Sequence, residues 1–136
     1  MNDRQGRFVA KAPRVVCVFL VPVLRDSDRK PHAPTLWQLL QDALLTECGG
    51  LTGPEEVVVY RHRAEVRGAW DPGDAGPVED VSRRYTVALP IRRVNRLRAL
   101  LRRVGNSFDQ RVIHLEVAGF AELLTIRKEH GWLEIG

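Results

Sequence analysis

The chain has few of the residues that usually link or anchor a small protein. It contains two cysteines and four histidines among 136 residues, and none of them are spaced as ligand pairs, so the sequence predicts neither a disulfide nor a metal site. No apolar run approaches the roughly 18 residues that cross a bilayer. The first residues also lack the charged-then-apolar order of a secretion signal. We therefore expect a soluble cytoplasmic protein with no membrane contact and no cofactor.

The composition is that of one ordinary globular domain, with 44% hydrophobic and 28% charged residues. A net charge of +4 favours an anionic partner. Arginine is much commoner than lysine, but a GC-rich genome produces the same excess, so the bias alone does not indicate nucleic-acid binding. Glycine-rich phosphate loops, Gly-x-Ser-x-Gly and His-Glu-x-x-His are all absent, which removes the common enzyme signatures.

Hydrophobic periodicity predicts alternating strands and helices. The segment 14–24 is apolar on both alternations, as in a central strand that is buried on both faces. Ala118 and Gly119 indicate a bulge or bend within the last strand. The predicted strands are 14–24, 55–70, 80–89 and 111–126, and the predicted helices are 35–48 and 91–104, the latter ended by Gly105 and Asn106.

This order, β-α-β-β-α-β, predicts an α+β fold of the ferredoxin-like plait type. Its sheet would have four antiparallel strands in the order 4-1-3-2, with both helices on one face. We expect a flexible N-terminal arm at 1–13, a single domain at 14–126 and a C-terminal tail at 127–136. Because the first strand is apolar on both sides, its open side should be covered by a second subunit, by the end of the last strand and the tail, or by a ligand.

The second predicted helix is strongly basic on one side and contains no acidic residue. Guanidinium groups pair with phosphates, so this face could bind DNA or RNA without sequence specificity. The alternative is an ordinary solvated helix face. The arginines concerned are Arg92, Arg93, Arg96, Arg98, Arg102 and Arg103.

A second polar group is predicted on the open face of the sheet. Strand alternation places His114 and Glu116 on one side of the last strand, where they could bind an anion or act as acid and base. Depending on the register, either Arg61 and Arg63 or Tyr60 and His62 would join them. Salt-bridged surface pairs are the alternative interpretation.

Three short patterns mark the hairpin and the entry to the last strand: Gly-x-Trp at 68–70, Asp-x-Ser-Arg-x-Tyr-x-Val at 80–87 and Phe-x-Gln at 108–110. Together they resemble a group of small bacterial α+β proteins over residues 15–120, and that resemblance implies no particular activity. Their side chains could line a small polar pocket, or they could stabilise the hairpin. The pocket residues would be Trp70, Asp80, Ser82, Arg83, Tyr85 and Gln110, together with His114 and Glu116.

The sequence favours a non-catalytic binding or accessory domain that acts as a homodimer or as a subunit of a larger bacterial assembly. One alternative is non-specific nucleic-acid binding through the arginine-rich helix. The other is a weak plait-type enzyme that uses His114 and Glu116 or the 80–85 cluster. Asp26 and Asp28, which follow the first strand, are typical of turn chemistry rather than of a Mg²⁺ site.

Overall fold

Five antiparallel strands and two helices make up the computed structural model, which describes residues 13–62 and 77–134. The strands are β1 (Arg14–Pro22), β2 (Thr52–His62), β3 (Pro77–Pro90), β4 (Val112–Val117) and β5 (Phe120–Thr125), in the sheet order β2-β3-β1-β4-β5. The helices are α1 (Pro34–Cys48) and α2 (Val94–Ser107), with 3-10 turns at Ile91–Arg93 and Lys128–His130. Among these residues, no helix has the length and apolar character that crossing a membrane requires.

The α+β class is confirmed, but the expected four-stranded sheet is wrong. Ala118 and Gly119 have φ angles of 50° and 88°, and Val117 pairs directly with Phe120 across them. Two positive φ angles in succession are the geometry of a tight two-residue hairpin turn. The segment 111–126 therefore forms two strands rather than one bent strand, and β5 is the fifth strand of the sheet.

Strand β1 lies at the centre of the sheet, between β3 and β4. Its residues Cys17, Phe19 and Val21 are fully buried under the helices, while the intervening Val18 and Leu20 are only half-buried on the opposite face. Phe19 stacks on Tyr85 of β3 with ring centroids 5.3 Å apart. Both helices thus cover the same face of the sheet, and none of the described residues forms a layer over the other face.

The ends of the helices differ from the sequence expectation in two places. Helix α1 begins at Pro34, one residue before the expected start at Thr35, and Ala33 is its N-cap. It ends as expected at Cys48, and its C-cap is Gly49, whose φ is 79°. Helix α2 runs through Gly105 and Asn106 to Ser107, so these residues do not stop it.

Gly105 instead allows a close approach between α2 and the segment after β5. A Cβ atom at this position would lie within 3.0 Å of three carbon atoms of the Ile126 side chain. The absence of a side chain therefore sets how closely the helix packs on the sheet.

The C-terminal tail is fixed to the end of helix α2. The Asn106 side-chain amide donates to the carbonyls of Arg127 at 2.7 Å and Gly131 at 2.6 Å, and the Leu133 N–H donates to Ser107 Oγ at 2.9 Å. The described part of the tail, 127–134, therefore lies on the helix side, and β5 extends the sheet instead of folding over it. The end of the last strand and the described tail therefore do not cover the open face. The two other expected possibilities, a second subunit and a ligand, remain.

Substitution of Gly105 by alanine should destabilise the protein. Alanine favours a helix over glycine by about 1 kcal/mol, but overpacking against Ile126 should cost about 1–3 kcal/mol and prevail. Urea denaturation of wild type and Gly105→Ala measures the net effect. In an Ile126→Ala background the same substitution should be neutral or stabilising, and an equal loss of stability in both backgrounds would contradict the packing argument.

Candidate functional site

The uncovered face of the sheet carries a groove, here called the open-face groove. Cross-strand neighbours share a face of a sheet, and one row across all five strands reads Glu55, Arg84, Leu20, His114 and Leu123. The groove has a volume of about 560 Å³, within the range of small-molecule sites. It is lined by Val18, Leu20, Glu55, Val57, Val58, Arg84, Thr86, His114, Leu115, Glu116 and Ala121.

Groups of both charges stand over the apolar floor of this groove. Arg84 Nη2 lies 3.1 Å from Glu55 Oε2, and both side chains are well exposed, so their pairing contributes little and can be exchanged for a ligand. His114 and Glu116 are two residues apart on β4, which places them on the same face about 7 Å apart. The arrangement can hold a small molecule with a flat apolar part and offers it one imidazole and one carboxylate.

Sequence alternation correctly placed His114 and Glu116 on the open face, but other groove residues were missed. Arg84 and Thr86 alternate with Arg83 and Tyr85, so the pattern of the segment 80–89 already separates the two faces. Glu55 could not be placed, because the register of β2 shifts between Thr52 and Glu55.

The described residues of the predicted polar pocket are divided between the two faces of the sheet and do not form one cluster. Tyr85 is buried in the core on the helix side, where burial raises its pKa, and the Arg83 guanidinium lies 4.1 Å from the Trp37 ring centroid. Ser82 is on the open face, opposite Pro22. Trp70, like Arg63, lies outside the described residues.

Asp80 and Gln110 of that predicted pocket support the loop after β1. Arg29 binds the buried Asp80 at 3.2 Å, and the Gln110 side-chain amide donates to the carbonyl of Leu24 at 2.9 Å. In the same loop, Asp26 accepts a hydrogen bond from the Arg111 N–H at 2.8 Å, and Asp28 accepts one from the Lys30 N–H at 3.0 Å. These carboxylates hold the loop in place.

Three arginines of the basic helix segment are bound to groups on other elements. Arg93 donates to the carbonyl of Glu47 at 3.1 Å, and Arg96 Nε lies 3.0 Å from the Glu47 carboxylate. Arg98 binds both oxygens of Glu122 at 2.6 and 2.9 Å, and this contact raises the pKa of Arg98 and lowers that of Glu122. No described residue forms an ion pair with Arg92, Arg102 or Arg103.

The described fold resembles that of a known enzyme structure. A phage SAM lyase in complex with S-methyl-5'-thioadenosine aligns with a TM-score of 0.54 and 13% identity, covering 85% of this chain and 92% of that one. The same lyase in its apo state gives a TM-score of 0.48 and 13% identity, covering 83% and 90%. No family model and no curated protein matches the chain. At this identity the likeness shows a shared fold, and it gives no support to a non-catalytic accessory domain.

A buried histidine packs behind the sheet, close to the loop after β1. His32 Nε2 donates to the carbonyl of Pro22 at 2.9 Å, and its ring meets those of Trp37 and Phe108 edge-on, with centroids 5.4 and 4.7 Å away. Burial is the largest cause that lowers the pKa of His32 below its ordinary value of 6.5. The folded protein therefore favours the neutral imidazole.

Stability should fall as the pH is lowered below about 6.5, because the unfolded chain then takes up a proton at His32 that the folded chain resists. The contribution of neutral His32 to the free energy of unfolding is fully present above about pH 6.5. Below that pH it decreases by at most about 1.4 kcal/mol per pH unit, until the pKa of His32 in the folded protein is reached. Urea unfolding between pH 7.5 and 5.5 measures this slope. His32→Gln, which keeps an N–H donor for Pro22, should flatten it, and a slope identical to that of wild type would refute the assignment.

Proposed function

We propose that this chain binds a 5'-thio-substituted adenosine in the open-face groove and acts as an enzyme on its sulfonium form, S-adenosylmethionine. The observation that carries the proposal is that His114 and Glu116 share one uncovered groove with an apolar floor and a volume of about 560 Å³. The ligand class is supported by the likeness in fold to a structure that holds S-methyl-5'-thioadenosine.

The groove residues match the parts of such a ligand. Adenine has flat apolar faces that suit Val18 and Leu20, and ribose hydroxyls can exchange hydrogen bonds with Thr86 and Arg84. A nearby carboxylate stabilises the positive sulfonium. Two exposed acidic side chains line the groove, and because Glu55 is paired with Arg84, Glu116 is the one assigned to the sulfonium. In this arrangement Glu116 distinguishes the charged substrate from the neutral thioether.

Cleavage of a sulfonium makes limited demands on a protein. The sulfur leaves carbon as a neutral thioether and takes the electron pair of the broken bond, so the leaving group needs no proton. In an elimination, a proton leaves the neighbouring carbon and its electron pair forms the new double bond. His114 lies in the same groove to accept that proton.

Calorimetric titration with S-adenosylmethionine and with S-methyl-5'-thioadenosine tests the proposal. Glu116→Gln should weaken binding of the sulfonium by about tenfold and that of the thioether less, because only the sulfonium loses a charge contact. His114→Gln should retain binding and slow the release of the thioether, which chromatography measures. The matched control is Glu56→Gln, since Glu56 neighbours Glu55 on β2 but pairs with Arg83 on the other face.

Two results would contradict this function. Wild-type protein that binds neither nucleoside at millimolar concentration would remove the ligand class. If Glu56→Gln and Glu116→Gln weaken the binding of S-adenosylmethionine equally, the loss of affinity is a general effect of the protein's charge. It would then be no evidence for binding in the open-face groove.

A further inference from the structure

We propose that a second groove, on the outer side of the helices, binds single-stranded nucleic acid. This tail groove has a volume of about 570 Å³ and lies between α1, α2 and the C-terminal tail, with Leu100, Arg103, Gly131, Trp132 and Leu133 among its lining residues. Trp132 stacks on a base, and Arg103 contacts the phosphates. The site is separate from the open-face groove and independent of the function proposed there.

The backbone on both sides of Trp132 is held in place, although the residue is half exposed. On one side, Gly131 has a φ of 88°, which favours glycine, and its carbonyl accepts the 2.6 Å hydrogen bond from Asn106. On the other side, the Leu133 N–H is bound to Ser107. The residues flanking the indole are thus fixed, while 52% of Trp132 is accessible to solvent. A large, accessible aromatic ring on a well-anchored backbone is suited to stacking on bases.

Arg103, which lines the groove together with Trp132, forms no ion pair within the described part of the chain. In the same basic segment, Arg96 and Arg98 are neutralised by Glu47 and Glu122, and the charge of Arg102 acts on Glu122 as well. Unpaired guanidinium groups on a surface favour phosphate binding, because they pair with two phosphate oxygens at once and stay charged.

The described tail contains both acidic and basic residues. Glu129 and Glu134 are the acidic residues of the described tail, and Glu134 lines the groove, so it opposes an anionic ligand. The basic residues of the groove lining and of the described tail are one more in number. They are Arg103, Arg127 and Lys128, and the last two are exposed.

A single strand suits this surface better than a duplex. Base faces are stacked and hidden in double-stranded DNA, but a single strand can place one base on an exposed indole while its phosphates reach neighbouring cations. Since every base has a stacking face, the binding is expected to be tolerant of sequence. This ligand also explains why the aromatic group is combined with arginines.

Fluorescence anisotropy of a labelled oligo-dT strand of about 12 nucleotides, titrated with the full chain at 50 and 200 mM salt, tests the proposal. Trp132→Ala should weaken binding about tenfold, whereas Trp132→Phe should retain most of the affinity. Arg103→Ala should weaken binding. It should also reduce, by about 0.7, the slope with which the logarithm of the binding constant falls against the logarithm of the salt concentration. The matched control is Arg96→Ala on the same helix, which should change neither, because its guanidinium already binds Glu47.

Several outcomes would overturn the proposal. These are no binding by wild type at 50 mM salt, wild-type affinity in Trp132→Ala, or equal weakening by Arg96→Ala and Arg103→Ala. A duplex of the same length that binds as tightly would reject the single-stranded ligand. Glu116→Gln should leave oligonucleotide binding unchanged, so failure of the nucleoside hypothesis and failure of this one are distinguishable.

Discussion

The position of β1 at the centre of the sheet is the constraint on which the other features depend. It pairs with β3 along its whole length and with β4 over Cys17 to Leu20. Because side chains alternate along a strand, the same short segment supplies Phe19 to the core under the helices and Val18 and Leu20 to the uncovered face. The floor of the open-face groove is therefore the reverse side of the hydrophobic core, and its position is as rigid as the core itself.

The basic helix segment shows how tertiary contacts change the meaning of a charge pattern. The helix contains no acidic residue, and its sequence alone therefore indicates a uniform phosphate-binding face. The fold brings Glu47 from α1 and Glu122 from β5 against that segment, and they neutralise Arg96 and Arg98. Within the described part of the chain, the positive charges without a carboxylate partner are thereby left at the two ends of the segment, on Arg92 and Arg93 before α2 and on Arg103 beside the tail.

The α+β class, the order of elements as far as β4 and the placement of His114 and Glu116 could be predicted, because each depends on local periodicity. The fifth strand could not, since its turn is Ala118–Gly119 and alanine rarely adopts a positive φ. The described residues of the predicted polar pocket lie on both faces of the sheet. Side chains alternate along β3, so Arg83 and Tyr85 lie on the helix side and their neighbours on the other face.

The central position of β1 also affects the order in which the chain can assemble. Arg14 pairs with Pro90 and Cys17 pairs with Val117, so the first strand finds its partners only after most of the chain has been made. Contacts of such long sequence separation slow folding, because the entropy of closing the loop is lost before the contacts form. During synthesis this apolar segment stays without its sheet partners, which makes it the part of the nascent protein most in need of protection from aggregation.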